Sequence, residues 1–191
     1  MKSQESLNLP MRLKNATLDY AAIHRLRDAF VAGDDCAYSS IYELYAKELY
    51  AFGMSLHAKH ELIEDSIHDV FVEIYTHRHN LEKVDNLKYY FLAAFRNRLF
   101  FLLKKESNTF GITDKDFQEV WIETETASEK ELLVQRLLSE LNQNQREVIY
   151  HRFVEGLSLE EISSLMNINY QSTKNLIYRA IKKLRSIAVF T

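Results

Sequence analysis

The chain has 191 residues, 47% apolar and 27% charged, with a formal net charge of −3, an ordinary balance for a soluble globular protein that excludes wholesale disorder. Four glycines and one proline leave few breakers, so a mostly helical fold with one good core or two small ones is expected. Apolar runs such as Phe91–Phe95 and Leu99–Leu103 are too short to span a membrane, the segment MKSQESLNLP lacks the apolar core of a secretory signal, and the single Cys36 excludes an internal disulfide or a multi-cysteine zinc site.

Thr17 or Asp19 can cap a first helix carrying Leu18, Ala22, Leu26 and Phe30, with Gly33 as its stop. The apolar spacing predicts a second helix from about Asp35 to His57 and a third near Glu61 to His77, the latter on Ile63, Ile67, Val70, Phe71 and Ile74. A fourth spans about Asn86 to Lys105. Behind an N-terminal tail of residues 1–16, residues 17–106 therefore read as one small helical domain.

Placed 100° apart, Phe91, Leu92, Phe95, Leu99, Leu102 and Leu103 share the core face of the fourth helix. The other face carries Tyr90, Ala93, Asn97, Phe100, Phe101 and Lys104, with Arg96 and Arg98 at its flanks. Aromatic groups beside cations can stack on unpaired bases, and they can equally pack on a neighbouring helix or on the second domain.

Residues 107–127 lose helical periodicity and read as a linker. Between Glu106 and Glu131 eight acids face two lysines, whereas Leu87 to Lys105 holds five cations and no acid. The modest net charge thus conceals two basic segments flanking an acidic one.

Residues 128–191 form the second helical domain, with a helix near Ser128 and another capped by Asn142 and ended by Gly156. From Ser158 to Arg185 the chain then reads as a helix-turn-helix. Leu159, Ile162, Leu165 and Met166 form the stripe of its first helix, Asn167 tolerates the left-handed conformation of the turn, and Ile168 plugs the corner. The last helix turns Thr173, Leu176, Ile177, Ala180, Leu184 and Ile187 inward and Gln171, Asn175, Tyr178, Arg179 and Lys182 outward. No acid lies between Tyr170 and Thr191, so amides and cations, with Ser172 and Lys174 beside them, are free to face base edges and phosphates in a major groove. The fold class is all-α: two small helical domains joined by an acidic linker.

These residues resemble the extracytoplasmic-function group of bacterial RNA polymerase sigma factors, in the sigma-70 family. LIEDSIHDVFV, Leu62 to Val72, is similar to the family's D-A-E-D-L-V-Q-E-V-F-L, and YFLAAFRN, Tyr90 to Asn97, to W-L-Y-R-I-A-R-N. Leu157 to Leu184 is similar to L-S-Y-E-E-I-A-E-I-L-G-I-S followed by V-K-S-R-L-H-R-A-R-K-K-L, coinciding at Glu160, Glu161, Ile162, Ile168, Lys174, Arg179, Ala180, Lys182, Lys183 and Leu184. Departures are Asn142 where Pro often opens region 4, Asn167 for the turn Gly, and His68 and Asp69 for Gln and Glu.

The resemblance implies a factor without catalysis or cofactor that binds core RNA polymerase and directs initiation. Asp65, His68, Asp69 and Glu73 would meet the β′ clamp helices, and region 4 the β flap. The stretch Leu81 to Leu87 resembles the loop that receives a flipped base of the −10 element, so Leu81, Lys83, Asn86, Lys88, Tyr90, Arg96, Asn97, Phe100, Phe101 and Lys104 are the expected contacts to single-stranded DNA. Gln171, Ser172, Lys174, Asn175, Tyr178, Arg179 and Lys182 would read the −35 duplex. The acidic linker resembles the family's connector, which threads toward the polymerase channel. A cytoplasmic location is expected from the polar segment MKSQESLNLP, and the likeness adds a membrane-bound anti-sigma factor as a further candidate partner.

Two rivals are weighed against this. His57, His60, Glu61, Glu64, Asp65, His68 and Asp69 could suggest a helical-bundle metal site, but such sites draw ligands from several helices and the second Glu-x-x-His motif is missing. An autonomous helix-turn-helix regulator would normally carry a sensing half of alternating strands and helices, a pattern the N-terminal half lacks.

Overall fold

The computed structural model describes residues 20–110 and 136–188, and all regular structure among them is helical. Helix α1, Tyr20–Val31, ends as expected at Gly33, which takes φ +100° and donates its N–H to Phe30 at 2.9 Å. Asp34 then caps α2, Asp35–Ser55, its Oδ1 accepting from the N–H of Cys36 and of Ala37. Helix α3, His60–Thr76, leads through a 3₁₀ segment, Arg78–Lys83, into α4, Leu87–Phe110.

The four helices enclose one core. Phe91 on α4 lies between Tyr45, stacked at 4.9 Å, and Phe71 at 5.0 Å, and the fully buried Ile63, Phe95 and Leu99 extend the same cluster. Burial pushes the Tyr45 hydroxyl up to about 12, with the nearby Glu48 carboxylate adding to it. Helices α2 and α3 approach so closely that a Cβ on Gly53 would lie 2.7 Å from Ile63 Cγ1. No larger residue fits there without displacing that packing.

The expected end of the first domain at residue 106 is passed by the helix: α4 runs four residues further, to Phe110. Thr17, Leu18 and Asp19, the tail, the linker beyond residue 110 and the helix expected at Ser128 lie outside the described residues, apart from a helical stretch at 136–139.

A capping box at Asn142, whose side chain accepts from Gln145 N–H while the Gln145 side chain accepts from the Asn142 N–H, starts α5, Gln143–Ile149. The helix widens into a π turn over Tyr150–Val154, closed by Glu155 N–H to the Tyr150 carbonyl at 3.2 Å, and Gly156 ends it with φ +72°. A second capping box, Ser158 with Glu161, opens α6, Leu159–Met166, and α7 spans Tyr170–Ala188. Val148, Leu157, Ile162, Leu165 and Met166 form a second core. The two cores meet along α4, where Tyr89 and Ala93 pack on the second and Tyr150 returns onto the first.

Candidate nucleic-acid interface

The turn between α6 and α7 is set by local chemistry. Asn167 is left-handed, φ 53° and ψ 46°, and its N–H reaches back to Ser164 O. Asn169 then caps α7, accepting from Ser172 N–H at 2.7 Å. Thr173 and Ala180 are fully buried, and Leu176, Ile177, Leu184 and Ile187 are half-buried. The opposite face holds every residue expected at the −35 element: Gln171, Ser172, Lys174, Asn175, Tyr178, Arg179 and Lys182 are all exposed, Tyr178 at 66%. Gln171 donates to Asn175 Oδ1 at 3.2 Å, which aligns two amides along the helix. Lys183 is turned away and donates to the Glu140 carbonyl.

A second surface lies on α4. Asn97, Arg98, Phe101 and Tyr90 join His77 and Asn80 around a recess of about 320 Å³. Phe101 is 57% exposed, with the Arg98 guanidinium 5.3 Å from its ring centre; the Arg96 guanidinium lies 4.5 Å from the ring centre of Phe100, which is half-buried. The loop leading into α4 is held by Arg27, donating to the Val84 carbonyl at 2.7 Å, and by Tyr20, donating to Asp85 O at 3.2 Å. Asn86 caps the helix by accepting from Tyr89 N–H at 3.0 Å. Lys83, Asn86 and Lys104 are exposed.

Leu81 is a correction. It is 1% exposed and belongs to the first core, so its side chain anchors the loop rather than touching a base. Asn80 and His77, not singled out in the sequence, occupy the recess wall; the polar run Arg78–His79–Asn80 was the available signal.

Along α3, Asp65, His68 and Glu73 are exposed, whereas Asp69 is half-buried and accepts from Arg98 at 2.8 Å. His68, Glu64 and Ile67 form one side of a groove of about 520 Å³ whose other side is Tyr42, Lys47 and Tyr50 from α2. Tyr42 and Tyr50, spaced eight apart on that helix, are a signal the core pattern had hidden. The polar cluster weighed as a metal site diverges: His57 accepts from Arg146, His60 bonds Tyr50, and Asp69 is taken by Arg98. Among the described residues no group of three such side chains converges.

The remaining cations of α4 are engaged. Arg96 forms a two-bond ion pair with Glu147, which is fully buried, and Lys88 lies between Glu48 at 3.3 Å and Glu155 at 2.5 Å. Burial opposes the Lys88 charge, but its hydrogen bonds and pairing with Glu155 and Glu48 outweigh that and hold its pKa above the ordinary value. Burial raises the Glu48 carboxyl despite the Lys88 cation beside it. At the end of α2, His57 takes φ 57° and accepts from Arg146 Nη1 at 2.9 Å; burial, then the Arg146 charge, lowers its imidazole from 6.5 to about 4.

Residues 131–184 match the family model for sigma-70 region 4. The chain is 24% identical over 151 residues to the extracytoplasmic-function sigma factor SigM of Bacillus subtilis (strain 168), covering 77% of this chain and 92% of the relative. It is 25% identical over 156 residues to SigX of the same organism, covering 76% and 80%. Its fold matches that of the sigma factor RpoE from Bartonella quintana, solved with the anti-sigma factor NepR, at a TM-score of 0.61 and 22% identity over 79% of this chain and 96% of that one. CnrH, solved with the cytosolic domain of CnrY, matches at 0.64 and 16% identity over 89% and 97%.

Two helical cores, the exposed amide-and-cation face of α7 and these matches make the chain similar to one class, the sigma-70-type transcription initiation factors. Within it, the likeness to SigM and SigX, with the ordered motifs on α3, α4 and α6–α7, is to the extracytoplasmic-function group.

Proposed function

We propose that the protein guides core RNA polymerase to its promoters by gripping two DNA elements in different strand states. The observation that carries this is the pairing, in one chain, of an exposed amide-and-cation face on α7 with the aromatic and amide recess on α4. Residues Gln171, Asn175, Arg179 and Lys182 suit the −35 major groove, where amides and guanidinium groups pair with base edges and lysines with phosphates. The recess bordered by Tyr90, Asn97 and Phe101 suits a base extruded from the −10 element, stacking on a ring and bonding to an amide.

Asp65, His68 and Glu73 on α3, with the groove beside them, are the proposed docking face for the β′ clamp helices, and the C-terminal core that for the β flap. An anti-sigma inhibitor is the third partner in this reading, as NepR is for RpoE. The protein is not an enzyme; the chemistry is the polymerase's. An autonomous regulator is not favoured, because the likeness to sigma factors extends over about three-quarters of the chain, more than the C-terminal unit alone could supply. No helix among the described residues is long and apolar enough to cross a membrane.

Run-off transcription tests the reading. Purified protein added to core polymerase and genomic promoter fragments should give discrete transcripts absent with core alone; no initiation above core would overturn it.

A further inference from the structure

Arg146, midway along α5, is 7% exposed, and among the described residues its charge meets no carboxylate. Its Nη1 donates to His57 Nδ1 at 2.9 Å, and its Nε is buried with no hydrogen-bond partner. Arg96 and Lys88 are less buried, yet each meets a glutamate.

The partner that Arg146 does have cannot neutralise it. An imidazole that accepts at Nδ1 is uncharged, and burial, then the guanidinium itself, keeps His57 in that form by lowering its titration to about 4. Burial also lowers the Arg146 pKa from its ordinary value. A guanidinium has five N–H donors and no acceptor, so once removed from water it is best satisfied by an oxyanion.

Space for one adjoins it. Arg146 borders a cleft of about 400 Å³, toward the lower end of the ~300–1,000 Å³ usual for small-ligand sites. Lys183 of α7 also borders this cleft, its ammonium anchored on the Glu140 carbonyl and turned away from the α7 face assigned to DNA. Leu56, Leu103 and Leu141, all under one-tenth exposed, supply an apolar wall, and Asn144 adds a carboxamide. The acid among the lining residues is Glu140, which is exposed, so two cations against one carboxylate leave the cleft positive.

We propose that this cleft binds a compact organic oxyanion, a carboxylate or a phosphate monoester, with the charged head on Arg146 and Lys183 and a short apolar body on Leu56, Leu103 and Leu141. The site goes beyond the promoter reading and does not rest on it: none of the lining residues belongs to either DNA face.

The test uses the full-length chain with benzoate and phenyl phosphate as probes, acetate and inorganic phosphate as the heads without a body, and benzamide as the body without a charge. Benzoate or phenyl phosphate should move the Arg146 Nε–H resonance saturably, and whichever does so identifies the head group. The corresponding bare anion should bind about tenfold more weakly through loss of the leucine contacts, and benzamide should cause no shift. Lys183→Ala should weaken binding about two- to fivefold, the effect of one exposed charge pair. Arg146→Gln should weaken it about tenfold or more, read from the probe's own resonances. Arg185→Ala removes another exposed cation of α7, outside the cleft, and should change nothing. Should Arg146→Gln fail to fold by circular dichroism, the wild-type resonance and Lys183→Ala decide. No saturable shift with either aromatic anion overturns the site. So does equal binding of the bare anion or of benzamide, an equal loss from Arg185→Ala, or unchanged binding in folded Arg146→Gln. Run-off transcription judges the promoter reading separately, whichever way these titrations fall.

Discussion

Arg98 on α4 and Asp69 on α3 clasp each other where the aromatic recess borders the acidic face of α3, with Nη2 2.6 Å and Nε 2.8 Å from the same carboxylate oxygen. The pair fixes the guanidinium that flanks Phe101 and spends on that task one of the acids expected to meet polymerase. Both side chains are about two-fifths exposed, so solvent screens the bond and its direct stability is about 0–1 kcal/mol. Asp69→Asn should therefore shift urea unfolding by less than about 1 kcal/mol. Phe101→Ala in the polymerase complex should weaken binding of a single-stranded −10 oligonucleotide by about 1–3 kcal/mol, read by fluorescence anisotropy. A loss of single-strand affinity confined to Asp69→Asn would place the base contact elsewhere.

In the proposed reading, the exposed face of α7 divides into readers and anchors. Arg179→Ala should cost about 1–3 kcal/mol on a −35 duplex and relax preference at one base position, whereas Lys182→Ala should weaken all duplexes alike and reduce the salt slope of binding by about 1. Affinities measured across a series of duplexes at several salt concentrations separate the two patterns.

The turn of the helix-turn-helix rests on a non-glycine residue in the left-handed region. Asn167→Gly should leave stability within a few tenths of a kcal/mol, since glycine adopts that conformation freely while adding freedom to the unfolded chain. Asn167→Val should cost about 1–2 kcal/mol through the clash of its branched Cβ. Thermal unfolding of the two variants checks the difference.

His57 gives the protein an acid-sensitive contact. Its imidazole titrates near 4 when folded and near 6.5 when unfolded, so between those values the unfolded chain takes up a proton that the native one refuses. That contribution to stability is complete above about pH 6.5, shrinks as the pH falls toward 4 and changes no further below. His57→Asn keeps a residue suited to the left-handed backbone and an oxygen for Arg146, and it should flatten this component. Urea midpoints at pH 7 and pH 5 should differ less in the variant than in the wild type.

Much of this was legible in the sequence because it is local. Gly33, Asn142, Gly156 and Ser158 mark helix ends through bonds within a few residues, and the two faces of α7 are fixed by spacing alone. Helix α4 was harder, since apolar residues surround it and a moment cannot tell which side meets a second core. Arg96 and Glu147 are 51 positions apart, and nothing near either announces the other. Leu81 misled for the opposite reason: a loop that resembles a base-binding segment still needs an anchor, and this leucine is it.

The π turn at Tyr150–Val154 carries one more implication. One surplus residue there alters the phase of the helix, so that His151 is enclosed while Phe153 and Val154, just beyond it, project into water. Were that surplus residue deleted, the helix on the N-terminal side of the turn would swing about 100° relative to the chain on its C-terminal side. The inward imidazole and the outward apolar couple would lose their bearings in the same event, so the two share a single point of failure in the backbone.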